Sequence, residues 1–329
     1  VLGYFGPQGT FTHQALLSID PDAETQAYSS VMQALDAVRS GEVEASLVPI
    51  ENSVEGGVTA TLDNLAMGTP LMISREVLLP VQFCLAVRDG LKTKDVRKVI
   101  THPHAAAQCR TWVTRHLPNA TVTEGGSTAA AAAEVANPES AYDAAICAKI
   151  AAELYGLTIA VDRIADNAKA VTRFVLVGPE GAPPARTGSD KTTVVAYMYK
   201  DRPGALLEIL EQFAGRGVNL CRIESRPTKA ALGDYCFSID VDGHLADPRI
   251  REALKGLHRV CKKVIFLGSY QRADGVVPSA TRGFTDEDFY DADLWLENID
   301  PSASTRDDGE TAADKDADAP TSRRKSTKS

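Results

Sequence analysis

The sequence predicts a two-lobed α/β unit followed by a smaller α+β unit. Three observations carry that expectation. Short apolar runs alternate with stretches of helical spacing from Val1 to Gly178, the order of open α/β sheets. A Pro- and Gly-rich stretch from Gly181 to Ser189 then breaks the pattern. Beyond it the segments read β-α-β-β-α-β, a ferredoxin-like order.

With 329 residues and 44% hydrophobic content, the chain can bury two or three cores. Its net charge of -9, with no basic stripe before the tail, argues against a nucleic-acid partner. The same charge means that local donors must hold any anionic ligand, because the overall field repels it. Cys84, Cys109, Cys147, Cys221, Cys236 and Cys261 form no C-x-x-C pair and read as small core residues in a reducing compartment. No signal peptide precedes the first strand and no apolar run reaches spanning length. A cytoplasmic protein without a membrane partner is expected.

Val1 to Phe5 reads as a strand that breaks at Gly6-Pro7-Gln8-Gly9-Thr10-Phe11-Thr12. A helix through His13 to Ser18 follows, with Thr10 or Thr12 as N-cap. Such a turn offers free backbone N–H groups to an anion, although it lacks the Lys of a Walker loop and the third Gly of a dinucleotide site. Val31 to Arg39 has helical spacing and ends at Gly41. Glu44 to Ile50 is a second strand, stopped by Glu51-Asn52-Ser53. Those three residues are either turn chemistry or a polar strand mouth. Val54 to Val58 is a hinge-like loop, and Thr61 to Met67 another helix.

The apolar stretch Val77 to Val87, interrupted by Pro80, gives two strand segments or one crossing between subdomains. A second series follows: strand Val99 to Thr101, a helix opening at His102-Pro103, a strand ending near Val122, and an Ala-rich helix capped by Gly125-Gly126-Ser127-Thr128. Ala144 to Cys147 leads to a helix over Lys149 to Tyr155. His102 and His104 invite a metal or acid–base reading, but without a third ligand nearby a capping or packing role is preferred. The chain returns through Ile159 to Val171-Thr172-Arg173-Phe174-Val175-Leu176-Val177-Gly178, read as a buried strand. At its mouth, Thr172 would meet a reacting group and Arg173 would fork onto a carboxylate; alternatively they are a β-branched residue beside a surface Arg. The whole alternation predicts parallel sheets and a cleft between two lobes.

In the second unit, Lys191 to Tyr199 alternates as a strand and Asp201-Arg202-Pro203-Gly204 turns into a helix through Phe213. Strands end at Ser225, Val241 and Leu267, with a helix over Ile250 to Val260. One face or edge of so small a sheet needs cover, as from a partner chain. After Arg272 the composition shifts to Asp, Ser, Thr and Ala and reads as a disordered tail, with Phe289 to Leu296 as a docking exception.

Assembled in order, these pieces resemble the prephenate dehydratase family over roughly Leu2 to Leu267. The matching segments are Gly6-Pro7-Gln8-Gly9-Thr10-Phe11, Pro49-Ile50-Glu51-Asn52-Ser53, His102-Pro103, Gln108-Cys109, Ser127-Thr128-Ala129-Ala130 and Thr172-Arg173-Phe174. Gly204-Ala205-Leu206-Leu207, Glu224-Ser225-Arg226-Pro227 and Gly233-Asp234-Tyr235 are similar to the family's ACT regulatory domain. The family usually carries Asn where Ala170 stands and Gln where His104 stands. The resemblance implies a periplasmic-binding-protein-like (type 2) catalytic domain over 1–180, with lobe one taking 1–78 and 161–180 and lobe two 79–160. A linker over 181–190, a ferredoxin-like ACT domain over 191–272 and a mostly disordered acidic tail over 273–329 complete it. No chorismate mutase segment precedes the first strand, so a monofunctional chain is expected.

The resemblance further implies prephenate as substrate, losing its ring carboxylate as CO2 and its hydroxyl as water. Aromatisation drives that reaction, so no metal or cofactor is expected. Amides at Gly9-Thr10-Phe11 and Ser127-Thr128-Ala129, with Arg173, would bind the two carboxylates. Thr172 would assist hydroxide departure as a hydrogen-bond donor or relay, since its hydroxyl is a poor acid. Glu51 is the candidate acid if burial raises its pKa, or it only orients Asn52, Ser53 or Arg173. Phe174 or Phe11 would wall the ring carboxylate. The ACT-like segments imply an L-phenylalanine site between subunits of a homodimer or homotetramer, drawing on Gly204, Ala205, Leu206, Leu207, Asn219, Leu220, Glu224, Ser225, Arg226 and Pro227.

Rival readings are arogenate dehydratase, a non-enzymatic amino-acid sensor with a solute-binding cleft, and a structural dimerisation module. Thr172 beside Arg173, with Glu51 facing them, favours an enzyme, because a pure binder has no use for a proton relay.

Overall fold

The computed structural model describes residues 1–228 and 234–299. Strand β1 (Leu2–Phe5) is followed by α1 (Phe11–Ile19), β2 (Thr25–Tyr28), α2 (Val31–Ser40), β3 (Ala45–Asn52), the two-residue β4 (Gly56–Gly57) and α3 (Thr59–Ala66). The helices start where the sequence places capping hydroxyls. Thr10 accepts from His13 N at 3.4 Å to open α1, and Ser30 accepts from Gln33 N at 3.1 Å to open α2. Strand β5 (Leu71–Pro80) then carries the chain across to the second lobe.

That lobe is built from β6 (Cys84–Val87), β7 (Lys98–Thr101), α4 (Pro103–Gln108), α5 (Arg110–His116), β8 (Thr121–Glu124), α6 (Thr128–Ala136), β9 (Ala144–Cys147), α7 (Lys149–Leu154) and β10 (Thr158–Val161). Strand β11 (Val171–Pro179) returns to the first lobe. The lobe-one sheet runs β2-β1-β3-β11-β5, with β4 beside β3, and the lobe-two sheet runs β10-β6-β9-β7-β8.

Both sheets are mixed, which corrects the expectation of parallel ones. β1 is parallel to β2 and β3, whereas β11 is antiparallel to both β3 and β5. In lobe two, β7 is parallel to β8 and β9, and β6 is antiparallel to β9 and β10. The cause is the double crossing: β5 leaves lobe one and β11 re-enters beside it, with no crossover helix on the same sheet to turn the chain parallel. The return crossing also comes later than the expected 161. Ile164 and Ala170 are buried in the lobe-two core, Ile164 N donates to Phe83 O, and Val81 N donates to Ala170 O. Residues 162–170 therefore pack with lobe two.

The last sheet comprises β12 (Asp190–Tyr197), β13 (Leu220–Pro227), β14 (Tyr235–Asp242) and β15 (Lys263–Gln271), ordered β13-β14-β12-β15 and antiparallel throughout. Helices α8 (Ala205–Ala214) and α9 (Pro248–Val260) cover one face through Ile209, Phe213, Ala253 and Leu257. The other face is covered by lobe one of the same chain. Val195, Ile265, Leu267 and Tyr270 share a continuous core with Ile73, Val175 and Val177. Burying both apolar faces in one core removes the area-proportional cost of leaving either wet.

The expected disordered tail begins at 273, yet Asp286–Ile299 forms a helix, α10. Its start is fixed locally: Thr285 N donates to Asp288 Oδ2 at 2.9 Å and Asp288 N returns to Thr285 Oγ1 at 3.2 Å. Gly233 and the tail from 300 to 329 lie outside the described residues. Among the described residues no helix is long and apolar enough to cross a membrane.

Candidate active site

Two polar side chains meet where β3 ends and β11 begins. Thr172 and Asn52 are directly paired across the antiparallel ladder, and Asn52 Nδ2 donates to Thr172 Oγ1 at 2.8 Å. The amide's orientation is set from behind, because Asn52 Oδ1 accepts from Val54 N at 2.8 Å and Glu55 N at 3.3 Å. These residues stand in a cleft of about 290 Å³ between the lobes. Lobe one contributes Thr10 and Phe11 at the start of α1, and lobe two contributes Ser127 and Thr128 at the start of α6. First-turn amides of a helix lack intrahelical partners, so each lobe aims an anion-binding end at the cleft. Phe174 is buried on the wall, and Phe11 meets Phe83 edge-on with ring centroids 5.4 Å apart.

A larger groove of about 650 Å³ lies on lobe two between α4, α5 and β8, lined by Ala106, Val113 and Leu117. It holds neither the strand mouths nor the paired helix starts. The chemistry belongs to the interlobe cleft.

Arg173 and Glu51 are not on its wall. Side chains alternate across a strand, so with Thr172 in the cleft its neighbour Arg173 points to the opposite face. There Arg173 is buried, with Nε 2.6 Å from Glu76 Oε2, Nη1 2.5 Å from Asp240 Oδ2 and Nη2 2.8 Å from Tyr270 OH. Three of its neighbours' oxygens already occupy the fork that the sequence reading assigned to a substrate carboxylate. Glu51 pairs across the strands with Arg173, its Oε2 3.4 Å from Nη1, and its side chain is 38% exposed rather than enclosed beside Thr172. Ser53 is exposed and its hydroxyl accepts from Val171 N at 2.9 Å, tying the two strand ends together. Ala129 is fully buried in a lobe-two core. Gly9 is buried with φ +87 and abuts α7 of the other lobe, its N donating to His13 Nδ1 at 3.3 Å.

Several wall residues were not picked as site residues. His102 caps α4, its Nδ1 accepting from His104 N at 3.3 Å, and the two imidazoles lie 4.9 Å apart. Burial, reinforced by the neighbouring His104, holds His102 below its ordinary pKa. His104 reaches across the mouth to lobe one, with Nδ1 2.6 Å from Glu55 Oε2. Gln108 also lines the cleft, and its buried Oε1 has no hydrogen-bond partner among the described residues. His102 and Gln108 stood in the matched segments and His104 at a departure from the family pattern, but spacing alone could not turn them toward the cleft. Ala170, by contrast, is buried in the lobe-two core away from the cleft wall.

The residues assigned to the effector divide by face. Gly204 takes φ +86 just before α8, and Leu206 and Leu207 are exposed. Along β13, Ser225 and Pro227 are exposed, whereas Glu224 and Arg226 turn toward lobe one, Arg226 Nε lying 2.8 Å from Asp63 Oδ1. Asn219 Nδ2 donates to Asp242 Oδ2 at 2.8 Å. Ala205, the first residue of α8, is buried, and Leu220 packs against the core beneath α8 and α9.

The family model "Prephenate dehydratase" matches residues 2–182 and that of the "ACT domain" residues 192–259. A prephenate dehydratase of Amycolatopsis methanolica is 47% identical over 297 residues, covering 90% of this chain and 96% of the relative. One of Mycobacterium marinum is 43% identical over 311 residues, covering 91% and 95%. Among solved structures, prephenate dehydratase from Arthrobacter aurescens in complex with L-Phe superposes with a TM-score of 0.86 at 52% identity, covering 91% of this chain and 98% of that one.

Proposed function

The chain belongs to the prephenate dehydratase family, and from that premise we infer how its cleft turns prephenate into phenylpyruvate. The activity is a lyase reaction in L-phenylalanine biosynthesis, with L-phenylalanine feeding back through the ACT domain. The prephenate dianion takes up one proton and releases CO2 and water, leaving the phenylpyruvate anion. As the ring–carboxylate bond breaks, its electron pair completes the aromatic ring and the C–O bond to the hydroxyl breaks.

The Asn52–Thr172 hydrogen bond carries the mechanistic reading. Because Asn52 donates to Thr172 Oγ1, the threonine's own proton is free to be donated to the departing oxygen. A donor aimed at charge that develops only in the transition state lowers the barrier without tightening the ground state. Thr10 and Phe11 from lobe one, and Ser127 and Thr128 from lobe two, hold the carboxylates by backbone amides and hydroxyls. A dianion spanning both helix starts draws the lobes together. Phe11 and Phe174 give the ring an apolar wall, which favours loss of a carboxylate as neutral CO2. Arg173 and Glu51 act from behind the strand pair, and Glu55 is the carboxyl that borders the cleft.

In the same reading the effector site is completed by a second copy of the chain in a homodimer or homotetramer. Supporting it, Leu207, Ile223 and Tyr235 are exposed around the open edge of the ACT sheet. A cytoplasmic location is supported by six cysteines that are all free.

The test is turnover of prephenate and of arogenate by the full chain, with and without L-phenylalanine. Faster turnover of prephenate, inhibited by L-phenylalanine, is the expected result. Preference for arogenate would move the reading to the aminated substrate. Binding of L-phenylalanine with no turnover of either would leave a sensor.

A further inference from the structure

Strand β13 is shared between two surfaces. Its register with β14 pairs Ile223 with Ile239 and Ser225 with Phe237, on the helix side of the sheet, where α8 and α9 pack on Phe237 and Ile239 of β14 and leave Ile223 and Ser225 of β13 exposed. It pairs Arg222 with Asp240, Glu224 with Ser238 and Arg226 with Cys236, on the face turned to lobe one. The two-residue period of a strand makes these sets rigidly opposite: a displacement that moves one moves the other.

On the lobe-one face, β13 is linked to each strand that carries the reacting pair through one intermediate residue, Asp240 on β14 and Gly57 on β4. Arg222 Nε and Nη2 each lie 3.0 Å from the fully buried Asp240 carboxylate, which also binds Arg173 on β11, the residue next to Thr172. Two guanidiniums from different domains thus grip one carboxylate. The Glu224 carboxylate fills the space that a Cβ at Gly57 would need. Gly57 pairs with Glu51 and Gly56 with Asn52, so this contact bears on the β3 end.

One part of this interface is incompletely satisfied. Arg222 Nη1 is buried without a hydrogen-bond partner among the described residues, and Glu224 Oε1 stands 3.6 Å away. An unpaired buried donor is costly, so Arg222 Nη1 gains from a movement of the Glu224 side chain that brings Oε1 within hydrogen-bond reach, and that movement would shift the carboxylate packed on Gly57.

We propose that Arg222 and Glu224 are positioning residues for the reaction, setting the ends of β11 and β3 that carry Thr172 and Asn52, and that effector binding on the opposite face of β13 acts on turnover through them. The inference rests on regulation by L-phenylalanine and names its route. Neither residue lines the cleft.

The test uses the full chain and separates effector binding, followed by calorimetry, from inhibition, followed as phenylpyruvate formation. Arg222→Met keeps the volume and leaves Asp240 paired with Arg173. It should bind L-phenylalanine within about threefold of wild type, while the residual rate at saturating effector rises about tenfold, the size of an ordinary allosteric coupling. Arg222→Lys, which restores a charge to Asp240, should recover most of the inhibition. Gly57→Ala leaves every charge in place and crowds Glu224 first; it should uncouple in the same direction and guards against a misfolded Arg222→Met. Unchanged residual rates in both Arg222→Met and Gly57→Ala overturn the proposal. Loss of binding together with inhibition in Arg222→Met overturns it too, since Arg222 would then belong to the effector site or to folding alone. Wild type that binds L-phenylalanine without inhibition removes the regulatory reading itself, and this route with it.

Discussion

Asn52 Nδ2 lies 2.8 Å from Thr172 Oγ1, joining directly opposed rungs of β3 and β11. Since Asn52 Oδ1 is engaged by two backbone amides, the side chain can offer only its NH2 group, and Thr172 is left as a donor. Asn52 thereby orients the proton that Thr172 presents.

The first prediction concerns that proton. Thr172→Val keeps shape and β propensity but removes the donor. It should lower kcat by about 100-fold or more with KM little changed, as for removal of one transition-state donor. Thr172→Ser should keep most of the rate. Steady-state phenylpyruvate formation measures both; a Thr172→Val enzyme with raised KM and undiminished kcat would make the residue a ground-state contact instead.

The second concerns acid stability. Burial pushes the Asp240 carboxyl up from its usual 3.8, but Arg173 and Arg222 outweigh it and hold it far below. A depressed carboxyl contributes its stability fully above its unfolded value and loses it progressively as pH falls below that value. Wild type should therefore lose unfolding free energy as the medium is taken below about pH 4. Asp240→Asn should be weaker by about 3–5 kcal/mol near neutrality, because two buried guanidiniums lose their shared partner, and flatter across the acid range. Urea midpoints at stepped pH decide it; parallel curves for the two proteins would remove Asp240 as the source.

How much of this was legible in sequence depends on what each residue faces. Thr172, Asn52, Thr10 and Ser127 were readable, since strand mouths and helix starts are local features that motifs mark directly. Arg173 was misplaced although it is adjacent to Thr172, because adjacency along a strand means opposite faces, and only the partner sheet reveals what lies on the second face. Asp240 and Tyr270, its partners, are 67 and 97 residues away along the chain. His104 and Glu55 stand on different lobes, and no spacing rule relates them. The mixed sheets escaped for a similar reason: local periodicity identifies strands but does not give the direction of the neighbour supplied after a double crossing.

The third prediction concerns His13. Burial pushes its imidazole below the ordinary 6.5, and its Nδ1 accepts from Gly9 N at 3.3 Å, which only the form unprotonated at that nitrogen can do. The folded state disfavours the charged ring, so its contribution to stability is present above pH 6.5 and falls as pH drops below it. Thermal midpoints between about pH 6.5 and 5 should fall less in His13→Leu than in wild type. Equal slopes would show that this ring is not strained by protonation.

The fourth concerns how the lobes meet at Gly9. Its φ of +87 is left-handed, and a Cβ there would stand 3.3 Å from both Ala151 Cα and Ala151 Cβ on α7. Gly9→Ala thus meets two penalties of different origin: about 1–2 kcal/mol of backbone strain, felt wherever the lobes stand, and a wedge against the helix backbone of the opposite lobe. Only the wedge resists closure on a dianion held by both lobes. KM for prephenate should rise about tenfold, with stability reduced by the strain alone. Ala151→Gly removes the facing methyl at a helix cost of about 1 kcal/mol. Combined with Gly9→Ala, it should recover part of KM and none of the stability, a non-additivity confined to binding. If KM stays at the wild-type value in Gly9→Ala, the lobes close without this contact, and Gly9 serves only the turn into α1.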